Sequence, residues 1–135
     1  MKESTKQWFR DSFQKPIAIL LVDDSPYLDV TVKFLRILFP KAWIRVLSEE
    51  EYQAIDEFIE QYDFDLAFID GSLRKWKAHP IYRTDGSSVV RMVKKKKPNT
   101  LVISMSTNPT LNKIALECDA DDELSKLDFH LLKKL

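Results

Sequence analysis

The apolar positions of this chain fall into short runs of two alternating kinds. "IAILLV" (residues 17–22), "FDLAFID" (64–70) and "TLVISMS" (100–106) are nearly continuous and rich in β-branched or aromatic residues. Each is followed by acids, hydroxyls or a turn. Continuous apolarity over so few residues is the pattern of a strand buried on both faces. "AWIRVLS" (42–48) alternates and predicts another strand, and "ADDELS" (120–125) a short fifth. Between them apolar residues recur at helical spacing. In "SPYLDVTVKFLRILF" (25–39), Ser25 suits an N-cap and Pro26 the first helical position, with Leu28, Thr31, Leu35 and Leu38 on one face. In "EEEYQAIDEFIEQYD" (49–63), Tyr52, Ile55, Phe58, Ile59 and Tyr62 share a face, and acids crowd the first turn. "SSVVRMVKKKK" (87–97) reads as a short helix ended by Pro98. "NPTLNKIALECD" (108–119) reads as a helix capped by Asn108 with Pro109 first, and "KLDFHLLKKL" (126–135) as a short last helix. Residues 1–15 form an N-terminal extension, helical in pattern, with Trp8, Phe9 and Phe13 available to pack on the domain.

Five strands alternating with helices predict an α/β domain over residues 16–135. Its expected form is a flavodoxin-like five-stranded parallel sheet, covered on both faces because right-handed crossovers place helices there. Sites in such folds lie at the carboxyl ends of the strands.

Composition narrows the function. The 135 residues fit one domain, and 44% hydrophobic content is ordinary for a folded one. Lys+Arg and Asp+Glu both number 21, so no global charge draws the chain to nucleic acid or membrane. "KKKK" (94–97) reads as a solvated face at a helix C-terminus. Cys118 is the single cysteine, which excludes an internal disulfide and points to a reducing compartment. No apolar run approaches the ~20 residues of a membrane span, and residues 1–15 lack the apolar stretch of a secretory signal. A cytoplasmic protein is the expectation.

The strand ends carry the candidate chemistry. Asp23 and Asp24 end the first strand, Asp70 the third, Ser106 and Thr107 the fourth, Ser125 and Lys126 the fifth. In a flavodoxin-like sheet order these converge. Clustered carboxylates do not all stay ionised without a cation. A set of hard oxygens suits Mg²⁺, which keeps waters and phosphate oxygens in its shell. An Asp carboxylate can attack phosphorus, with Lys126 and the Ser106 hydroxyl steadying the equatorial oxygens. Plainer roles stand beside these. Asp70 before Gly71 suits a turn, and Asp23 or Asp24 suits a cap for the helix near Pro26.

Five stretches together resemble the receiver domain of two-component response regulators: "ILLVDD" (19–24), "LAFID" (66–70), "DGSSVVRMV" (85–93), "LVISMSTN" (101–108) and "ADDELSK" (120–126). The resemblance covers residues 16–135. It implies Asp70 as phospho-acceptor and Asp23 and Asp24 as Mg²⁺ ligands, joined by Asp70 itself and the Ser72 carbonyl. It also implies Ser106 as the switch hydroxyl and Lys126 as the partner of the phosphoryl group. The implied protein is a single-domain response regulator, not a turnover enzyme. It would be phosphorylated by a histidine kinase or histidine phosphotransfer protein and would signal to a downstream target protein by contact, without nucleic acid or membrane.

This chain departs from the pattern at several points. Residues 72–84 form an insertion with Arg74, Trp76, His79 and Tyr82, suited to a lid or a partner contact. Thr107 is bulkier than the usual small residue, and Glu123 stands where a switching aromatic is usual. Leu127 replaces a proline, so a trans peptide is expected there. Asp119 replaces a glycine, and Asp tolerates a left-handed backbone better than most residues. These departures keep open a phosphorylation-independent pseudo-receiver that acts only as an interaction module. "IDGSL" also looks like the tail of the haloacid dehalogenase phosphatase motif, but Phe68 stands where that chemistry needs its nucleophilic Asp.

Overall fold

The computed structural model of the chain describes residues 1–47, 55–73 and 86–135. In order these form α1 (Glu3–Ser12), β1 (Ala18–Val22), α2 (Leu28–Leu38), β2 (Trp43–Leu47), α3 (Ile55–Gln61) and β3 (Leu66–Asp70). Then come α4 (Gly86–Lys96), β4 (Leu101–Met105), α5 (Pro109–Glu117), β5 (Asp122–Leu124) and a 3-10 helix, Lys126–Lys134. The strands make one parallel sheet in the order β2-β1-β3-β4-β5. Chain order reverses between β1 and β3, and there a crevice opens outside the carboxyl ends.

The two-residue period of the strands splits the core into two layers. Leu20, Val22, Ala67, Ile69 and Val102 face one side and pack with Ile59, Val89, Val93 and Ala115 of α3, α4 and α5. Ile19, Leu21, Leu66, Phe68, Ile103 and Met105 face the other, against Phe9, Leu35, Phe129 and Leu132. Helix α1 therefore shares the second layer. Phe9 is fully buried, stacked on Phe68 at 6.1 Å and tilted on Phe39 at 6.0 Å. The start of α1 is pinned to the edge strand: the Lys2 backbone N–H donates to Asp122 Oδ2 at 2.8 Å. An acid beside the N-terminus of a helix is favoured by its dipole.

Several element ends differ from the sequence pattern for local reasons. Ser25 does not cap α2, and Pro26 is not its first residue; the helix starts at Leu28 after Tyr27, with no side-chain cap. Asp23 Oδ1 accepts the Ser25 N–H at 2.8 Å and the Ser25 carbonyl accepts the Leu28 N–H at 3.2 Å. These bonds hold 25–27 as a turn, a side-chain role for Asp that competes with the helix. The last helix is 3-10, not α. Its apolar residues recur every third position, Phe129 and Leu132 buried and Leu135 packed beside them. Three residues per turn keeps such a series on one face. The "KKKK" run is not simply a solvated face. Lys94 pairs with Asp121 at 2.9 Å, Lys96 with Glu60 at 2.9 Å and Asp56 at 3.4 Å, and Lys97 with Asp63 at 2.6 Å.

Other ends follow the pattern. Asn108 caps α5 by accepting the Thr110 N–H at 2.9 Å, with Pro109 first. At the far end of α5, Ala120 N–H donates to the Ala115 carbonyl and Asp119 N–H to Leu116, each at 3.1 Å. That is a Schellman closure, and Asp119 takes its left-handed position with φ 76°. The Lys126–Leu127 peptide is trans. Tyr52 and most of the 72–84 insertion, including Arg74, Trp76, His79 and Tyr82, lie outside the described residues, as does Asp85. No helix among the described residues is long and apolar enough to cross a membrane.

Candidate functional site

Register brings the strand ends together. Val22 pairs with Ile69, Asp70 with Met105, and Met105 with Leu124. In a parallel ladder Asp23 then comes level with Asp70, and Ser106 and Ser125 leave β4 and β5 one residue beyond that level. Asp23 is fully buried, while Asp70 and Ser106 are each 3% exposed. Asp24 is half-buried. Asp23, Asp24 and Asp70 each offer a carboxylate oxygen, and these oxygens lie within 4.8 Å of one another. Lys126 reaches in from beyond β5. Its Nζ is 2.8 Å from Asp70 Oδ2 and 3.4 Å from Asp23 Oδ1. The Ser72 N–H donates to Asp70 Oδ1 at 3.0 Å. Asp24, Ser72, Ser106, Thr107 and Lys126 line a cleft of about 370 Å³ over Asp70. Thr107 sits exposed at its rim, and Glu123 is exposed on the edge strand.

The electrostatics are unbalanced. Burial pushes the Asp70 carboxyl up from 3.8 to about 6, against the Lys126 hydrogen bond and the Ser72 N–H that favour the anion. Asp23 beside it pushes in the same direction as burial. Asp23 Oδ2 is buried without a hydrogen-bond partner among the described residues. A buried carboxylate oxygen left without a donor is costly, and a divalent cation held by oxygens compensates it directly. The three acids fit such an ion.

Only two glycines occur in the chain, and both serve this site. A Cβ on Gly71 would lie 3.0 Å from Leu111 Cβ and 3.1 Å from Ser106 Cβ. A Cβ on Gly86 would overlap the Asp70 carbonyl oxygen and lie 2.7 Å from Gly71 Cα. The start of α4 thus presses on the backbone that carries Asp70, and only glycine permits that approach.

The structure brings together every residue that the sequence placed here: Asp23, Asp24, Asp70, Ser72, Ser106 and Lys126. Two neighbours were missed. Ser104 and Asn112 form a buried pair behind Ser106, with the Ser104 hydroxyl donating to Asn112 Oδ1 at 2.8 Å. Their signal was present: Ser104 interrupts the apolar run of β4, and Asn112 occupies a core-facing position of α5. An apolar groove of about 390 Å³ also flanks the cleft, lined by Tyr27, Val30, Phe34, Leu127 and Phe129. Tyr27, Val30 and Leu127 are 69%, 67% and 73% exposed.

No protein-family model matches the sequence. No curated protein matches it either. Solved structures do. The chain is similar to a response regulator receiver domain protein (CheY-like) from Methanospirillum hungatei JF-1, at 24% identity and a TM-score of 0.65 over 89% of this chain and 90% of that one. It is similar to the receiver domain of a sensor histidine kinase from Pseudomonas aeruginosa PAO1, with magnesium coordinated in its active-site cleft. That match has 21% identity and a TM-score of 0.63, over 88% of this chain and 96% of that one. A third is a response regulator from Burkholderia pseudomallei with a phosphorylated aspartic acid and a calcium ion. It matches at 15% identity and a TM-score of 0.64, over 82% of this chain. This chain spans 59% of the length of that protein and 55% of a Salmonella typhimurium response regulator. The chain has the receiver fold.

Proposed function

We propose that this chain is a receiver that accepts a phosphoryl group on Asp70 and signals by protein–protein contact. The donor is a phosphohistidine on a histidine kinase or phosphotransfer protein. The observation that carries the reading is the placement of the Lys126 ammonium 2.8 Å from Asp70 Oδ2, within a cluster of three carboxylates. Asp23, Asp24 and Asp70 would hold Mg²⁺, with the Ser72 carbonyl as a further ligand. Bound there, the metal would offset the charge of the acids and of the transferring phosphoryl oxygens. Asp70 supplies the nucleophile. Its carboxylate oxygen bonds to phosphorus as the P–N bond breaks, and the electron pair and a proton stay with the departing imidazole. Lys126 neutralises a phosphoryl oxygen, and the Ser106 hydroxyl donates to another. The exposed groove of Tyr27, Val30 and Leu127 beside the cleft offers a protein donor its apolar contact. The chain turns over no separate substrate; at most it catalyses its own phosphorylation and dephosphorylation.

Intact mass after incubation with acetyl phosphate and Mg²⁺ tests this. One phosphoryl group is expected on the wild type and none on Asp70→Asn. A wild type that stays unlabelled under prolonged incubation overturns the reading and leaves the phosphorylation-independent module, which the exposed Glu123 at the usual aromatic position favours.

A further inference from the structure

Behind the cleft lies a buried polar pair that metal binding and nucleophilic attack do not use. Ser104 is fully buried and Asn112 is 4% exposed. The Ser104 hydroxyl donates to Asn112 Oδ1 at 2.8 Å, and Asn112 Nδ2 donates to the Ser106 carbonyl at 3.1 Å. Only one orientation of the amide satisfies both bonds, because the Ser106 carbonyl accepts and cannot donate. Two apolar side chains of the same size would fill the space between β4 and α5, but the Ser106 carbonyl would lose its Asn112 donor. The pair therefore does something that packing alone does not.

Its placement says what. Ser104 pairs in register with Ile69, the residue before Asp70. Asn112 joins that point to the main chain of Ser106, whose hydroxyl lines the cleft. Fixing the Ser106 carbonyl fixes its peptide plane, and with it the direction of its Cα–Cβ bond. The Ser106 Oγ already accepts the Asn108 N–H at 3.1 Å. That bond holds the hydroxyl oxygen from one side, and its O–H can be donated into the cleft. Gly71 faces the same side chain, and a Cβ there would crowd Ser106, 3.1 Å from its Cβ and 3.4 Å from its Oγ.

We propose that Asn112, steadied by Ser104, is a positioning residue that aims the Ser106 hydroxyl at the phosphoryl group during transfer to Asp70. This rests on the phospho-acceptor reading above. Without the Asn112 amide the Ser106 peptide can rotate, and a misdirected donor loses most of its worth in a preorganised site.

The test follows labelling by acetyl phosphate with Mg²⁺ in a cycle of variants. Asn112→Leu is expected to slow labelling by roughly 10- to 100-fold. Mg²⁺ affinity, read by a thermal shift, should be unchanged, because Asn112 touches none of the acids. The decisive comparison is in a Ser106→Ala background, where Asn112→Leu should cause no further slowing. A structural role alone would slow both backgrounds equally, and that result overturns the proposal. Wild-type rates in Asn112→Leu overturn it as well. If Asn112→Leu fails to fold, Ser104→Ala loses one hydroxyl and enters the same cycle, with a smaller slowing expected and the same additive result overturning it. A labelled wild type with an unaffected variant sinks this inference alone; an unlabelled wild type sinks the phospho-acceptor reading and this with it.

Discussion

At the scale of single residues, Asp70 is held in a tension that can be measured. Its folded carboxyl titrates near 6 and its ordinary value is 3.8, so the folded state holds the proton more tightly. The contribution of this group to stability is fully present below about pH 4, falls as pH rises through about 6, and is flat above that. The span corresponds to about 3 kcal/mol, an order-of-magnitude figure. Urea midpoints of the metal-free protein should fall across that window. Asp70→Asn should remove the fall and raise stability near neutral pH by about 1–3 kcal/mol. An unchanged slope in Asp70→Asn would assign the titration to another group. Gly86 is the second sensitive point. Gly86→Ala should cost about 1–3 kcal/mol, because its methyl overlaps the Asp70 carbonyl and one backbone must move. Its labelling by acetyl phosphate should also drop, since that backbone carries the proposed nucleophile.

At the scale of elements, helix ends are where side chains decide. Asp119 pays for its left-handed backbone at the close of α5, and Asp119→Gly should stabilise by up to about 1 kcal/mol in thermal unfolding. Asp119→Ala should not. Helix α1 is an element of the core rather than an ornament on it. Phe9 is sealed between Phe39 and Phe68, so Phe9→Ala should cost about 3–5 kcal/mol. A loss under about 1 kcal/mol in a denaturant titration would mean that α1 is undocked in solution. Asp122→Asn should loosen the start of α1, read as faster amide exchange there, because the carboxylate that accepts the Lys2 N–H also accepts the Glu123 N–H and an amide keeps only one acceptor oxygen.

At the scale of the whole molecule, the site is a defect that the fold tolerates. Three carboxylates, one with a buried oxygen that has no partner among the described residues, sit where apolar side chains would stabilise. A cation that binds only the folded chain must then raise stability by mass action, about 2.7 kcal/mol at a hundredfold excess over its dissociation constant. Mg²⁺ should raise the melting temperature of the wild type near neutral pH and leave Asp23→Asn almost unmoved. Equal shifts in the two proteins would show that the ion acts elsewhere.

Much of this was determined by the sequence alone. Strands β1, β3 and β4 read correctly because burial on both faces demands nearly unbroken apolar runs, and no tertiary detail can hide that. The α5 cap, Asn108 with Pro109, was legible because capping is a bond between near neighbours. So was the set of Asp23, Asp24, Asp70, Ser106 and Lys126, since each ends a strand or lies within two residues of its end. Tertiary structure decided what depends on residues distant in the chain. The α2 start moved to Leu28 because Asp23 turns back to hold Ser25. The lysines of 94–97 found acids on α3 and in the loops before β3 and β5. The last helix became 3-10 because one face must meet Phe34 and Phe68 through Phe129. The pressure of Gly86 on Asp70, and the hold of Asn112 on Ser106, join segments that no local pattern pairs. Periodicity and capping are written in neighbours; close approach and shared hydrogen bonds exist only once the strands stand side by side.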